Sequence, residues 1–599
     1  MIEKIREYYH SRLENTQQIL EKVRRDIYYL GTVRLLVVLG FAIFIYFLRT
    51  QGVFITGSIL LLGIILFLLV LQKWNRLQQR KYYLETSAGC DKNEMDALDY
   101  RFSAFDGAPE RIQPLHPFVL DLDIFGNHSL FQSINRTTTV YGKQILARRF
   151  EEPLLSPELI IKRQQAIKEL SAKPDFLHHF QTTGRMNPEN DSDRPEIEEF
   201  IAQPPVIRNR KLWNVLRIAF PLLWVVSVLL FISGILSLLQ LISIYLVALF
   251  ISETQMKRIN RLQARLGKKV RALTSYSQLI QSVEEETFES EKLMELQMTY
   301  RKKEKSVSTV IAQLARLAGE LDQRSNFMVH LLFNPLALRD IHKSIQIDQW
   351  RESYGNQSIG WIQTLGEYDA LISLGSFAFT HPDYAFPDLV SEYFILSGKN
   401  LGHPLMKREI CVRNDIDISK QPYFLIITGA NMSGKSTYLR TVGVNFVLAC
   451  MGAPVCADAL RLSPVALITS LRTSDSLNDN ESYFYAELKR LKMIIDRLEA
   501  GEKLFIILDE ILKGTNSVDK QKGSFALIQQ LIRLQSCGII ATHDLLLGSL
   551  EAEFPDYIRN HHFDAEITGD ALSFSYRMKE GIAQNMNATF LMKKMGITL

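Results

Sequence analysis

Charge-free stretches interrupt otherwise amphipathic sequence along this chain, and their lengths mark a separate class of element. Residues 35–48 carry no charge, Arg49-Thr50-Gln51-Gly52 follow, and residues 53–71 are uncharged again. A second charge-free stretch covers residues 218–251. As one helix it would be about 51 Å long, against a hydrocarbon thickness of roughly 30 Å, so a single straight crossing leaves much of it unused. Ser233-Gly234 near its middle suits a tight turn. The pattern therefore predicts two helical hairpins and four crossings, with Arg34 snorkelling at the start of the first. A buried core helix is the competing reading of a short apolar run, but the length and flanks of 53–71 favour a span. A cleaved signal peptide is disfavoured by the thirty polar, helix-forming residues that precede the first run. Farther on, Val307, Val310, Ile311, Leu314, Leu317 and Leu321 recur at three- and four-residue steps, the spacing of a helix with one buried face.

Composition agrees with a mixture of two kinds of sequence. Over 599 residues, 47% are hydrophobic and 22% charged, and the mean hydropathy is zero. Such apolar content excludes a disordered chain, and five cysteines exclude a disulfide scaffold. A net charge of +4 does not by itself indicate a nucleic-acid partner. The placement of positive charge says more. Arg24, Arg25 and Arg34 precede the first hairpin, and Lys73, Arg76, Arg80 and Lys81 follow it. Arg208, Arg210 and Lys211 precede the second, and Lys257, Arg258, Arg261, Arg265, Lys268, Lys269 and Arg271 follow it. Only Arg49 lies in a connecting turn, so both termini and the large segments are expected on the cytoplasmic side of a membrane. The cluster at 257–271 suits anionic lipid headgroups, and DNA phosphates are the alternative.

Candidate chemistry is confined to the last third. The β-favouring run 424–427 leads into Gly429-x4-Gly434-Lys435-Ser436 and then a helical pattern, which is the P-loop in its strand–turn–helix context. The loop amides, from Gly429 through Met432, Ser433 and Gly434 to Thr437, would surround phosphate oxygens at a helix N-terminus. Lys435 would reach the β- and γ-phosphates, and the Ser436 hydroxyl would bind Mg²⁺. A second apolar run, 504–508, ends in Asp509-Glu510. Asp509 at a strand end suits a Mg²⁺-organising Walker B carboxylate, and Glu510 suits a group that orients or deprotonates water. A third run ends at His543, which places an imidazole near the γ-phosphate.

Together these motifs resemble the ATPase region of the MutS family of mismatch-repair proteins. The resemblance is carried by Thr428-Gly429-Ala430-Asn431-Met432-Ser433-Gly434-Lys435-Ser436-Thr437, by Asp509-Glu510-Ile511-Leu512-Lys513-Gly514-Thr515 and by Ala541-Thr542-His543. Glu481-Ser482-Tyr483-Phe484 and Glu487 are similar to the family's signature segment. Upstream, Ser129 to Thr137, Gly142, Glu152-Pro153-Leu154 and Leu365-Gly366-Glu367-Tyr368-Asp369 resemble its core domain. The resemblance implies an ABC-type ATPase whose two ATP·Mg²⁺ sites form only in a dimer. It also implies that Ser482 reaches the partner's nucleotide, that Asn431 senses the γ-phosphate and that His562 lies near the nucleotide. Core-like sequence on both sides of 218–251 requires an even number of crossings there.

The expected organisation is an N-terminal helix (1–34), a transmembrane hairpin (35–71), a linker (72–126) and a first core segment (127–212). A second hairpin (213–251), lever helices (252–395) and an α/β P-loop ATPase domain (396–599) follow. No Phe-x-Glu mismatch-reading motif precedes residue 127. The expectation is a membrane-anchored, homodimeric ATPase that contacts the lipid bilayer. A membrane-tethered DNA clamp and an ABC transporter-like ATPase are the alternatives.

Overall fold

The computed structural model describes residues 1–48, 53–190, 193–207, 210–301, 305–323, 334, 336, 338–392, 394–430, 432–472, 483–513, 515–568 and 571–583. The first two helices are long and antiparallel. Helix α1 (Ile2–Leu48) contains both the polar N-terminal stretch and the first apolar run. Helix α2 (Val53–Leu98) contains the second run and continues well past it. Here the structure differs from the expected linker: residues 72–98 are helix. The reason is a thin apolar seam, in which Leu84 on α2 is buried against Leu20 and Val23 on α1. Arg24 and Glu85 join the helices at 2.7 Å beside that seam. Nearer the apolar ends, the Arg34 guanidinium lies 5.1 Å from the Trp74 ring centroid.

This polar half of the hairpin forms a stalk that docks on the helical core. The core includes α3 (Leu130–Ile134), α4 (Val140–Glu151), α5 (Pro157–Ser171), α6 (Pro174–Met186) and α7 (Asp193–Ala202). Arg12 donates to Asp175 at 2.8 Å, His178 approaches Asp91 at 3.0 Å, and Arg136 pairs with Glu94 at 2.6 Å with both side chains buried.

Residues 218–251 form a helical hairpin, as expected. Helix α8 (Arg210–Ile232) ends one residue before Ser233-Gly234, and α9 (Leu238–Glu253) returns. Gly234 has φ +75°, a conformation that a Cβ would disfavour, and Ser237 caps α9 by accepting from the Gln240 amide. Among the described residues, three helices are long and apolar enough to cross a membrane, or four if α9 and the following α10 (Met256–Leu266), bent by 60°, count as one span. Their apolar side chains, Leu36, Phe44, Leu62, Leu229 and Leu239 among them, are exposed.

Helices α11 (Val270–Glu285), α12 (Glu291–Met298) and α13 (Val307–Asp322) pack on α14 (Arg339–Thr380), a 42-residue helix that runs through the core. All six residues of the periodic set between Val307 and Leu321 are buried. Asp369 on α14 accepts from the Thr138 and Thr139 amides and the Thr139 hydroxyl, which fixes the start of α4. Gly142 is the residue that lets α4 approach this carboxylate, since a Cβ there would fall 2.2 Å from an Asp369 oxygen.

Beyond α14 lie two sheets. Strands β1 (Asp388–Leu389), β2 (Leu396–Leu401), β3 (Asn414–Ile418) and β5 (Ala459–Leu462) form the smaller, in the order β1-β5-β2-β3. The larger contains β4 (Tyr423–Gly429), β6 (Ala466–Ser470), β7 (Leu504–Asp509), β8 (Cys537–Thr542), β9 (Ile558–Thr568) and β10 (Ala571–Glu580), in the order β10-β9-β4-β8-β7-β6. All neighbours are parallel except β9 and β10. Helices α15 (Lys435–Cys450), α16 (Tyr483–Glu499) and α17 (Ser517–Arg533) accompany this sheet, whose inner strands are continuously apolar, as expected for strands covered on both faces.

Candidate functional site

Three neighbouring parallel strands, β4, β8 and β7, deliver the candidate residues to one edge. Their register pairs Thr428 with Thr542 and Ala541 with Asp509, so Gly429, His543 and Glu510 leave their strands side by side. In an open parallel sheet this carboxyl edge is where ligands bind.

The turn after β4 needs its glycines. Gly429 has φ +149°, and a Cβ there would fall 2.8 Å from the Phe563 carbonyl oxygen. Gly434, with φ +104°, is the N-cap of α15, so the first amides of a 16-residue helix face the turn. Lys435 is buried. Its ammonium donates to the carbonyls of Gly429 at 2.8 Å and Ala430 at 2.9 Å, and burial lowers its pKa to about 8. Such a lysine, folded back on its own turn, is positioned for exchange of carbonyl partners for an incoming anion.

Ser436 donates to Asp509 Oδ2 at 2.5 Å, while Asp509 Oδ1 is buried without a hydrogen-bond partner. A hydroxyl and an incompletely satisfied carboxylate at this spacing fit a hard divalent cation, whose oxygen ligands they would supply. Glu510 has φ +53° and is turned back so that its amide donates to the Ala541 carbonyl at 2.9 Å. Its carboxylate lies 2.5 Å from His543 Nε2, and the hydrogen bond from His543 holds the Glu510 carboxyl at about 2. His543 Nδ1 is 2.8 Å from the Gly429 carbonyl oxygen. Leu512, two residues on, is left-handed as well, with φ +58°. Glu487, buried on α16, accepts from the Leu512 amide at 2.5 Å and the Lys513 amide at 3.1 Å, and thereby pins the strained turn.

These residues open onto a cleft of about 570 Å³ lined by Met432, Ser433, Gly434, Lys435, Ser436, Thr437, Glu510 and His543. The structure thus brings together the residues read from the motifs, whereas Asn431 and Ser482 lie outside the described residues. His562, in register with Thr428 on the neighbouring strand, does not itself line the cleft. It approaches the Gly581 carbonyl at 3.1 Å and Asp564 at 3.1 Å, and its neighbour Phe563 lines the cleft instead. Alternate residues of β9 face opposite sides, so only one of the two can do so.

The motifs also missed the far wall of the cleft: His403, Met406, Ile410, Val412 and Tyr576. Tyr576 lies in a bulge of β10 with φ +53° and stacks on Phe574. Asn414 fixes the bulge by donating to the Tyr576 carbonyl at 3.0 Å and accepting from the Met578 amide at 2.8 Å. No local pattern marks Tyr576, because the 162 positions that separate it from Asn414 are closed only by the fold.

Comparison with known proteins agrees with this geometry. The family model for MutS domain III matches residues 119–375, and that for MutS domain V matches residues 425–595. The chain is 29% identical over 235 residues to MutS protein homolog 4 of Homo sapiens, a match covering 37% of this chain and 24% of the relative. It is 31% identical over 239 residues to the DNA mismatch repair protein MutS of Persephonella marina, covering 39% and 27% respectively. The matched stretch is therefore about a quarter of each relative's length. The chain belongs to the MutS family.

Proposed function

We propose that this chain is a membrane-anchored, ATP-hydrolysing member of the MutS family that works as a homodimer. The observation that carries the reading is the convergence at one sheet edge of buried Lys435, the Ser436–Asp509 contact and the Glu510–His543 pair. In this P-loop, ABC-type reading, the amides from Gly429 to Thr437 and the Lys435 ammonium hold the triphosphate, and Asn431 and His543 sense its terminal phosphate. Ser436 and Asp509 would hold Mg²⁺, which supplies charge neutralisation on the phosphates. Glu510 orients the attacking water and takes its proton. Phosphoryl transfer asks mainly for positioning and electrostatic stabilisation, which these groups offer. Ser482 of each subunit completes the other's site, so ATP favours the closed dimer and hydrolysis releases it, moving the α14 lever. The test is ATP turnover by the detergent-solubilised chain, which should require Mg²⁺ and fall to background in Lys435→Ala. Turnover unchanged by that substitution would overturn the assignment.

The membrane anchor is supported by the exposed apolar faces of α1, α2, α8 and α9 and by the flanking arginines and lysines. On α10, Lys257, Arg258 and Arg261 are exposed while Ile259, Leu262 and Leu266 are buried, which suits contact with anionic headgroups. The termini and the large domains would be cytoplasmic. Alkaline extraction should leave the chain in the membrane fraction; its release would rule out the anchor.

A second reading, a tethered DNA clamp, rests on the same exposed basic residues and on the relatives' names. It predicts duplex binding that weakens steeply with salt. Undetectable binding at low salt would eliminate it.

A further inference from the structure

Two of the five cysteines meet behind the far wall of the cleft. Cys411 lies in the segment between β2 and β3, whose His403, Met406, Ile410 and Val412 line the cleft, and it is half-buried between the last two. Cys456 is buried, in the segment between α15 and β5. A Cβ on Gly402 would fall 3.0 Å from the Cys411 sulfur and 3.0 Å from the Cys456 sulfur, so the two sulfurs are at most about 6 Å apart. Gly402, lacking that carbon, leaves both sulfurs room at one point. The two sides are held differently. The Cys456 amide donates to Asn445 Oδ1 of α15 at 2.8 Å, and the Cys456 carbonyl accepts from the Gly402 amide at 2.8 Å. Asn445, itself fully buried, also donates to the Gly402 carbonyl at 2.9 Å. The Cys411 amide donates instead within its own segment, to the Lys407 carbonyl at 3.0 Å.

We propose that Cys411 and Cys456 form a redox-modification site, in which a hydroperoxide joins them as a disulfide and thereby reshapes the far wall of the cleft. Cys90, Cys450 and Cys537 are buried, so Cys411 is the thiol that an oxidant reaches first. Its sulfur attacks a peroxide oxygen, the O–O bond breaks, and a sulfenic acid and a water are left when the oxidant is hydrogen peroxide. The Cys456 sulfur then displaces the sulfenic hydroxyl. The S–S bond forms, the S–O bond breaks, and the hydroxyl leaves as water with the Cys456 proton. The two thiols together give up two electrons, and the peroxide takes them. Burial raises the Cys456 thiol, which the Tyr384 hydroxyl and the Arg413 charge offset in part, and this slows the second step. A disulfide holds its sulfurs about 2 Å apart. Cys456 is tied to α15 through Asn445, so the contraction falls on Cys411 and displaces its neighbours Ile410 and Val412. That this wall contacts nucleotide rests on the proposed function; formation of the bond does not.

The detergent-solubilised full chain, treated with hydrogen peroxide, then alkylated and digested without reductant, should yield a cross-linked Cys411–Cys456 peptide. Mass spectrometry should find it two hydrogens lighter than its thiol components, and dithiothreitol should split it. Cys456→Ser should halt the reaction at Cys411, where a cyclic diketone traps the persistent sulfenic acid. If that variant does not fold, Cys411→Ser serves, and peroxide should leave its Cys456 a free thiol. Absence of the cross-link in wild type overturns the site, as does Cys411 advancing to sulfinic acid while Cys456 can still be alkylated. The effect on the cleft is read by equilibrium binding of labelled ATP to the oxidised and the reduced chain. Displacement of Ile410 and Val412 should weaken binding by about 3–10-fold, reversed by reductant and absent in Cys411→Ser. A cross-linked chain whose affinity does not fall overturns the reshaping of the wall. If the reduced chain binds no ATP, the nucleotide reading falls, while the cross-linked peptide still decides the thiol pair.

Discussion

The His543 imidazole lies between the Glu510 carboxylate and the Gly429 carbonyl, 2.5 Å from the first and 2.8 Å from the second. It links the turn after β4 to the end of β7 across β8, so one side chain touches both the Gly429 turn and Glu510. Glu510, with its carboxyl held at about 2 by the hydrogen bond from His543, stays ionised throughout the physiological range and is available as a hydrogen-bond acceptor for water. Glu510→Gln keeps the shape and removes the basic oxygen. Hydrolysis should fall by roughly 10²–10⁴-fold with ATP binding retained. Phosphate release together with equilibrium nucleotide binding measures both, and turnover at the wild-type rate would remove Glu510 from the catalytic role.

Lys435 should make nucleotide affinity pH-dependent. Burial lowers its pKa to about 8 in the empty site, and bound phosphate oxygens favour its charged form and raise it. The sign follows: below pH 8 the lysine is already charged, and affinity is flat with pH. Above pH 8 binding must take up a proton, and affinity falls by up to tenfold per pH unit. Calorimetric titration at pH 8.5–9 in buffers of different ionisation enthalpy should show proton uptake. Pure binding with no buffer dependence would place the lysine's titration elsewhere.

Motif spacing made the turn after β4 legible because its contacts are local: Gly429, Gly434, Lys435 and Ser436 fall within eight positions. The second hairpin was legible for a similar reason, since Ser233-Gly234 interrupts a charge-free run of known length. The helical stalk beyond residue 71 was not. Leu84 is a sparse apolar signal, and its partners Leu20 and Val23 lie more than sixty positions away. The far wall of the cleft and the contacts of buried Asp121 with Thr469 and Arg472 were hidden for the same physical reason. Asp121 meets its donors across about 350 positions, and a carboxylate in a loop carries no periodicity.

Glu487 offers a prediction about strain. Its carboxylate holds the amides of Leu512 and Lys513, next to two left-handed residues that each cost of order 1 kcal/mol or more. Burial raises the Glu487 pKa, yet the two amides favour the ionised form. Glu487→Gln sets an NH₂ group against one amide and should cost about 1–3 kcal/mol locally. The turn that carries Glu510 would loosen, so kcat should drop while ATP affinity holds. Hydrogen exchange over residues 510–513 should rise in step. Unchanged exchange in this stretch would show that the pin does not hold the turn.

Docking of the stalk depends on Arg136 and Glu94, a pair at 2.6 Å in which neither side chain reaches solvent. Arg136 also donates to the Ser133 carbonyl at 3.0 Å and covers the Phe105 ring at 3.6 Å, so its desolvation is well compensated. Removing one partner strands the other charge. Arg136→Met should therefore destabilise the chain by about 3–5 kcal/mol, more than an exposed pair such as Arg24–Glu85 contributes. Replacing both, as Glu94→Leu with Arg136→Met, removes the stranded charge and should restore most of the loss. Urea unfolding of the solubilised chain, with proteolysis of the stalk as a second readout, tests the pattern. If the double substitution is no more stable than Arg136→Met alone, the loss comes from the guanidinium's contacts with Ser133 and Phe105, and the pairing is not what secures the stalk.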